Sequence, residues 1–134
     1  WGTSYREAAT YVNQVAPPNA RIIVFGAPHL VELYNELAPQ GLEVIGIAMA
    51  HDPPSHVIAL SKARRIPYPI ALDINSDAAS AFGDVRLTPT SFLIAPDGRI
   101  VHQAIGELDM YEVRELLMDM LAQAQTTENQ VEEN

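Results

Sequence analysis

Short apolar runs alternate along this chain with segments whose apolar residues recur at helical spacing. Arg21–Phe25 and Leu42–Ala48 are nearly continuous apolar runs, which is typical of strands covered on both faces. Helical spacing predicts helices over Ser4–Val15, Leu30–Ala38, Ser55–Arg65, Asp77–Phe82 and about Asp109–Gln123. Because strands and helices alternate, the strands are expected to form a mainly parallel sheet.

The C-terminal third of the sequence predicts a β-hairpin. Thr90–Ala95 and Ile100–Ala104 are strand-like and flank Pro96-Asp97-Gly98-Arg99, which has the composition of a tight turn. Ile70–Leu72 is expected to pair only briefly. Together these patterns predict an α/β fold with helices on both faces of a mixed sheet of about four strands, parallel at its centre and antiparallel at the hairpin.

Length and composition predict one globular domain. The chain has 134 residues, of which 48% are hydrophobic and 19% charged, so it can bury a single core. Residues 125–134 are polar and acidic, and we expect a disordered tail there after a domain over 1–124. The apolar runs are too short to predict a membrane-spanning helix, which needs about 20 residues.

Charge and cysteine content exclude several kinds of chemistry. The chain carries 17 acidic residues against 8 Lys and Arg, a net charge of −9, which argues against binding nucleic acid through bulk charge. It contains no cysteine, so disulfides, thiolate metal sites and cysteine nucleophiles are absent from it. No cofactor is expected, since Gly26-Ala27-Pro28 lacks the further glycines and the lysine of a phosphate-binding loop. The oligomeric state stays open.

The remaining candidate residues do not predict a catalytic or metal site. His51, Asp52 and His56 are close in sequence, but Pro53-Pro54 precludes one continuous helix that would align the two imidazoles. We therefore expect a surface loop without a metal. Ser91 could be combined with Asp84 and a histidine into a hydrolytic triad, but it lacks the G-x-S-x-G context of such a nucleophile. No catalytic residue is expected.

Three stretches of the chain carry a family resemblance: HLVELYNELAPQGLEVIGIAMAHDPP, IPYPIALDINSDAASAFGDVRLTPTSFLIAPDGRIV and IGELD. They extend from His29 to about Asp109 and resemble the TlpA/ResA-like branch of the thioredoxin superfamily. The resemblance implies a thioredoxin-like sandwich and an extracytoplasmic location. It also implies a cis peptide bond at Thr88–Pro89 and, in the loop of Leu87, Thr88, Pro89 and Thr90, a surface that binds an extended peptide or a protein partner.

The sequence departs from that family where the family carries its redox centre. Members run from the first central strand into a W-x-x-x-C-x-x-C segment, whereas Phe25 is followed here by Gly26-Ala27-Pro28-His29. The first hypothesis is therefore a redox-inactive thioredoxin-fold module that acts as a scaffold or binds a partner. The alternative is an active thiol-disulfide oxidoreductase whose cysteine-bearing loop is missing from the given sequence.

The N-terminal stretch resembles a different class of protein. Trp1–Ala9 and Asn19–Val24 resemble a soluble segment of mannosyltransferase-type membrane glycosyltransferases. If both resemblances hold, the chain joins two unrelated pieces near Gly26–Leu30, through engineering or natural recombination. A weaker alternative follows, in which the chain is an extracytoplasmic fragment of a membrane glycosyltransferase.

Overall fold

A five-stranded mixed sheet forms the centre of the fold in a computed structural model, which describes residues 19–26 and 30–133, with side chains to 123. The strands are β1 (Arg21–Phe25), β2 (Glu43–Ala48), β3 (Ile70–Leu72), β4 (Thr90–Ile94) and β5 (Ile100–Ile105). The helices are α1 (Val31–Leu37), which continues into a 3-10 turn (Ala38–Gln40), α2 (Pro54–Ala63), α3 (Asp77–Ala81) and α4 (Met110–Glu133). The strands lie in the order β3-β2-β1-β4-β5.

Strand β1 is central because it is apolar on both faces, and all five of its residues are buried. It pairs in parallel with β2, which in turn pairs in parallel with β3. On its other side β1 pairs antiparallel with β4, in a register that sets Phe25 opposite Thr90. The hairpin partner β5 completes this edge, with Thr90 opposite Ile105. The C-terminal end of β1 therefore lies beside the start of β4.

Two apolar cores cover the faces of the sheet, since successive side chains of β1 point to opposite sides. On one face Ile22 and Val24 pack with buried residues of α1 and α4, among them Leu33 and Leu117. On the other face Phe25 makes edge-to-face ring contacts with Phe82 and Phe92, at centroid distances of 5.5 and 6.0 Å. Helix α2 has no fully buried residue, so its packing on the sheet is looser.

The structure confirms the expected α/β sandwich and differs from the expectation in the number of strands. The sheet has five strands because Ile70–Leu72, expected to pair only briefly, forms a ladder with Gly46–Ala48. Helix α4 extends from Met110 to Glu133. Its last turns contain Glu128, Gln130 and Glu132, which are good helix formers.

Two sequence-based expectations concern residues whose structure is not described. The expected helix over 4–15 and most of the N-terminal glycosyltransferase resemblance lie outside the described residues, as do Ala27, Pro28 and His29. The division into a domain over 1–124 and a following tail remains a prediction.

Candidate functional site

The loop of Leu87, Thr88, Pro89 and Thr90 leads into β4 at the centre of one end of the sheet. The Thr88–Pro89 peptide bond is cis, as the family resemblance implies. Leu87 is 65% exposed and Thr88 is also exposed, whereas Pro89 is half-buried and Thr90 is buried. The first part of the loop therefore faces solvent, and its last residue is anchored in the sheet.

Hydrogen bonds hold the loop at two of its carbonyls and leave the backbone N–H and C=O of Thr88 available for pairing. The Thr90 hydroxyl donates to the Leu87 carbonyl at 2.6 Å, and the Gly106 N–H donates to the Pro89 carbonyl at 2.8 Å. Within the described part of the chain, neither the N–H nor the C=O of Thr88 makes a hydrogen bond. An exposed backbone donor and acceptor on one residue can pair with an extended chain, as a strand edge does.

Gly26, the residue after β1, lies directly against this loop. It has a φ of +101°, which side-chain-bearing residues rarely adopt, and a Cβ placed on it would lie 2.6 Å from the Thr88 Cβ. Glycine is therefore needed here both for the backbone conformation and for the close approach. The position at which the resembling family begins its redox segment thus touches the expected peptide-binding loop.

A cavity of about 240 Å³ opens beside Pro89 on the face covered by α1 and α4. We call it the Pro89 cavity. Its apolar walls come from β1, from the residue before α1, from the segment between β5 and α4 and from the first residue of α4: Val24, Leu30, Leu108 and Met110. Ser91 and Glu107 provide polar atoms. Ser91 is only 1% exposed.

A second cavity, of about 210 Å³, separates β2 from α2 and reaches Gly26. We call it the Gly26 cavity. Its walls come from Gly46 and Ala48 of β2 and from Val57 and Leu60 of α2. Asp52 and His56 are among its other lining residues. It explains why α2 has no fully buried residue. The two cavities lie on either side of the point where β1 ends.

Tyr68 is buried in the same core as Leu30. Its hydroxyl is buried without a hydrogen-bond partner of ordinary geometry in the described part of the chain. Burial raises the pKa of the Tyr68 phenol to about 12, and the backbone of Leu30 opposes the shift in part. The phenol is therefore neutral at physiological pH, and Tyr68 acts as a core residue whose ring contacts Tyr34 edge-to-face at 5.6 Å.

The other candidate residues are dispersed. His51 is exposed and lies 3.7 Å from Asp52, whose other carboxylate oxygen accepts the Met49 N–H, as in a surface loop. Asp84 is exposed and Ser91 is buried, and in residues 19–26 and 30–133 no hydrogen bond joins either to a histidine. No group of three His, Asp or Glu in these ranges is arranged to hold a metal ion. None of the described helices is both long and apolar enough to cross a bilayer.

Sequence reasoning identified the loop but not its neighbours. The sequence marks Gly26 as the place of a missing segment and as part of a loop without a phosphate-binding pattern, Ser91 as a candidate nucleophile, and Glu107 as part of the matching IGELD stretch. Gly26 and Thr88 are far apart in the chain and meet because β1 and β4 are adjacent. The positive φ of Gly26 is the kind of requirement that glycine signals, but one sequence does not reveal which partner it approaches.

Comparison with known proteins places these features in a family. The model of the AhpC/TSA family matches residues 26–103. The chain is 30% identical over 90 residues to thiol-disulfide oxidoreductase ResA of Bacillus thuringiensis subsp. konkukian, an alignment covering 67% of this chain and 51% of that protein. The chain thus spans about half the length of the ResA proteins it matches.

Solved structures share the fold at low sequence identity. A protein from Neisseria meningitidis assigned as a thioredoxin superposes with a TM-score of 0.71 and 22% identity, covering 79% of this chain and 76% of that one. StoA from Bacillus subtilis superposes with a TM-score of 0.63 and 18% identity, covering 76% and 84% of the two chains. At these identities the likeness establishes the thioredoxin-like fold alone.

Proposed function

The chain belongs to the AhpC/TSA family, as a TlpA/ResA-like member of the thioredoxin superfamily, and from this premise we propose that it is a redox-inactive module. It binds an extended peptide or protein partner through the loop of Leu87, Thr88, Pro89 and Thr90. The observation that carries the proposal is the exposed Thr88, whose N–H and C=O make no hydrogen bond within the described chain.

Redox inactivity follows from the sequence of this chain. Dithiol exchange requires a thiolate that attacks a disulfide and a second thiol that resolves the mixed disulfide. The chain has no cysteine and can supply neither group. Binding, by contrast, needs only the loop backbone, which is intact and held at the Leu87 and Pro89 carbonyls. The module would thus keep partner recognition while lacking the exchange reaction.

An NMR titration tests the binding proposal. A suitable probe is the blocked peptide Lys-Ala-Leu-Ala-Lys, which is too short to form a stable helix and so can pair with Thr88 as an extended chain. Its addition is expected to shift the amide resonances of Thr88 and Thr90, while the Gly98 amide at the far hairpin turn stays unchanged. The matched control is the same peptide N-methylated on alternating residues, which cannot pair along one edge. If neither Thr88 nor Thr90 responds to the unmodified peptide, the proposal fails.

The Gly26 cavity favours a second candidate function. An open space between β2 and α2, reaching the residue where the family's redox segment would begin, fits a missing stretch of chain. In this version the protein is a thiol-disulfide oxidoreductase whose cysteine-bearing loop is absent from the given sequence. An intact mass of 14.7 kDa without thiols would exclude it, whereas a heavier mass with two titratable thiols would favour it.

We further propose an extracytoplasmic location, on the resemblance to TlpA/ResA-like proteins alone. Fractionation of cells expressing the protein, followed by immunoblotting, is expected to find it outside the cytoplasmic fraction. The joining of two unrelated pieces near Gly26–Leu30 likewise remains a proposal. The genomic sequence across that junction distinguishes the two origins, because a natural recombination would be encoded there without interruption and an engineered join would not.

A further inference from the structure

We propose that the Pro89 cavity is a side-chain pocket that selects peptides with an aliphatic residue flanked by basic residues. This inference rests on the peptide binding proposed above and specifies its ligand. The cavity lies beside the loop that would pair with the peptide backbone, since Pro89 lines it and Thr88 is the preceding residue. A chain paired with Thr88 therefore passes the mouth of the cavity.

The lining of the cavity determines the kind of side chain that fits. Val24, Leu30, Leu108 and Met110 present aliphatic groups, and removing apolar surface from water drives an aliphatic side chain into such a space. Ser91, which is only 1% exposed, also lines this space and adds a small polar residue to its wall.

The charge around the cavity determines what flanks the aliphatic residue. Glu107 lines the cavity and is exposed, and Asp109 is exposed two residues further along the chain. No Lys or Arg of the described chain lines the cavity, and the whole protein has a net charge of −9. These negative charges attract peptides that carry Lys or Arg beside the aliphatic residue and repel acidic peptides. Both effects are strongest at low salt.

The test compares three blocked peptides that differ only at chosen positions: Lys-Ala-Leu-Ala-Lys, Lys-Ala-Ala-Ala-Lys and Glu-Ala-Leu-Ala-Glu. Burying the leucine side chain is expected to make the first peptide bind about tenfold more tightly than the second. The first peptide, but not the second, should shift resonances of Ser91, Leu108 and Met110. The acidic peptide should bind more weakly than the basic one, with a difference that shrinks as salt is added.

A variant of Ser91 locates the pocket on the protein. Ser91→Leu fills the cavity and is expected to reduce the affinity for the leucine peptide about tenfold, to that of the alanine peptide. Ser80→Leu adds the same side chain on the exposed surface of α3, outside the cavity, and serves as the matched control, with affinity for the leucine peptide changed less than about twofold. If Ser91→Leu does not fold, the peptide comparison on the unaltered protein decides alone.

The outcomes separate this inference from the function on which it rests. If the leucine and alanine peptides shift Thr88 equally and bind equally, the pocket is overturned and peptide binding stands. If the acidic peptide binds as well as the basic one, the charge preference is wrong. If no peptide shifts Thr88, the proposed function and the pocket are both overturned.

Discussion

Replacing Gly26 by alanine tests how the end of β1 supports the Thr88 loop. The substituted residue must adopt a φ of +101°, and its Cβ would lie 2.6 Å from the Thr88 Cβ, closer than real Cβ contacts come. An L-residue in a left-handed conformation costs about 1–2 kcal/mol. Displacing Thr88 adds a cost of similar size, so we expect Gly26→Ala to lower the free energy of unfolding by about 3 kcal/mol.

Gly83→Ala is the matched control for this prediction. Gly83 has a similar φ of +92°, but nothing lies within 4 Å of a Cβ added there. This variant should therefore lose only the conformational part, about 1–2 kcal/mol, in urea unfolding followed by circular dichroism. The difference between the two variants measures the contact with Thr88.

A double-mutant cycle assigns that difference to one pair of residues. Thr88→Gly removes the side chain that the Cβ added at position 26 would meet. The combined variant Gly26→Ala with Thr88→Gly should therefore recover about 1 kcal/mol or more of coupling energy. Gly26→Ala should also weaken peptide binding at the loop, whereas Gly83→Ala should not. If Gly26→Ala is no more destabilising than Gly83→Ala, the inference that Gly26 lies in close contact with Thr88 is wrong.

Three further predictions concern the stability of the scaffold. Folding raises the pKa of Tyr68 from 10.0 to about 12, so the phenol loses its proton at lower pH in the unfolded chain than in the folded one. The stability that the neutral phenol contributes below pH 10 is therefore lost as the pH rises to about 12. Tyr68→Phe should remove up to about 2 kcal/mol of that decline, and an unchanged pH slope would contradict it. The Asp73 carboxylate accepts hydrogen bonds from the N–H groups of Ala78 and Ala79, both at 3.0 Å. Asp73→Ala should therefore lower the free energy of unfolding, measured in urea, by about 1–2 kcal/mol. A loss below about 0.5 kcal/mol would contradict this capping role. Glu43→Gln breaks the 2.7 Å ion pair with the mostly buried Arg21 and should lower the free energy of unfolding by about 2 kcal/mol. The control Glu36→Gln breaks an exposed ion pair with Arg114 and should lower it by less than about 0.5 kcal/mol. Equal losses in the two variants would refute the distinction between buried and exposed pairs.

The sheet and its central strand could be predicted from the sequence because their signal is local. Arg21–Phe25 is apolar throughout after its first residue, and the structure gives β1 the same bounds. The hairpin was likewise marked by Pro96-Asp97-Gly98-Arg99 between two apolar runs. Strand β3 was expected only weakly because it has three half-buried residues and follows Pro69, so that neither length nor alternation marks it.

The candidate site could be predicted only as far as one loop. The cis bond at Thr88–Pro89 followed from a family resemblance and not from the local residues. The Pro89 cavity joins Val24, Leu30, Ser91 and Glu107, which are distant in sequence and come together only through strand order and helix packing. No periodicity in the sequence relates these residues, so the cavity can be recognised only in the three-dimensional structure.

Hydrogen exchange at the Thr88 amide tests the central claim most directly, because that claim is a backbone pairing without any thiol. In the free protein Thr88 is exposed and its amide makes no hydrogen bond in the described chain, so this amide should exchange quickly. Saturation with the peptide Lys-Ala-Leu-Ala-Lys is expected to slow it at least about tenfold, a protection that requires a stable hydrogen bond. The Gly98 amide, which already donates to the Ala95 carbonyl at 2.9 Å, should not change. A Thr88 amide that exchanges equally fast with and without bound peptide would contradict the account.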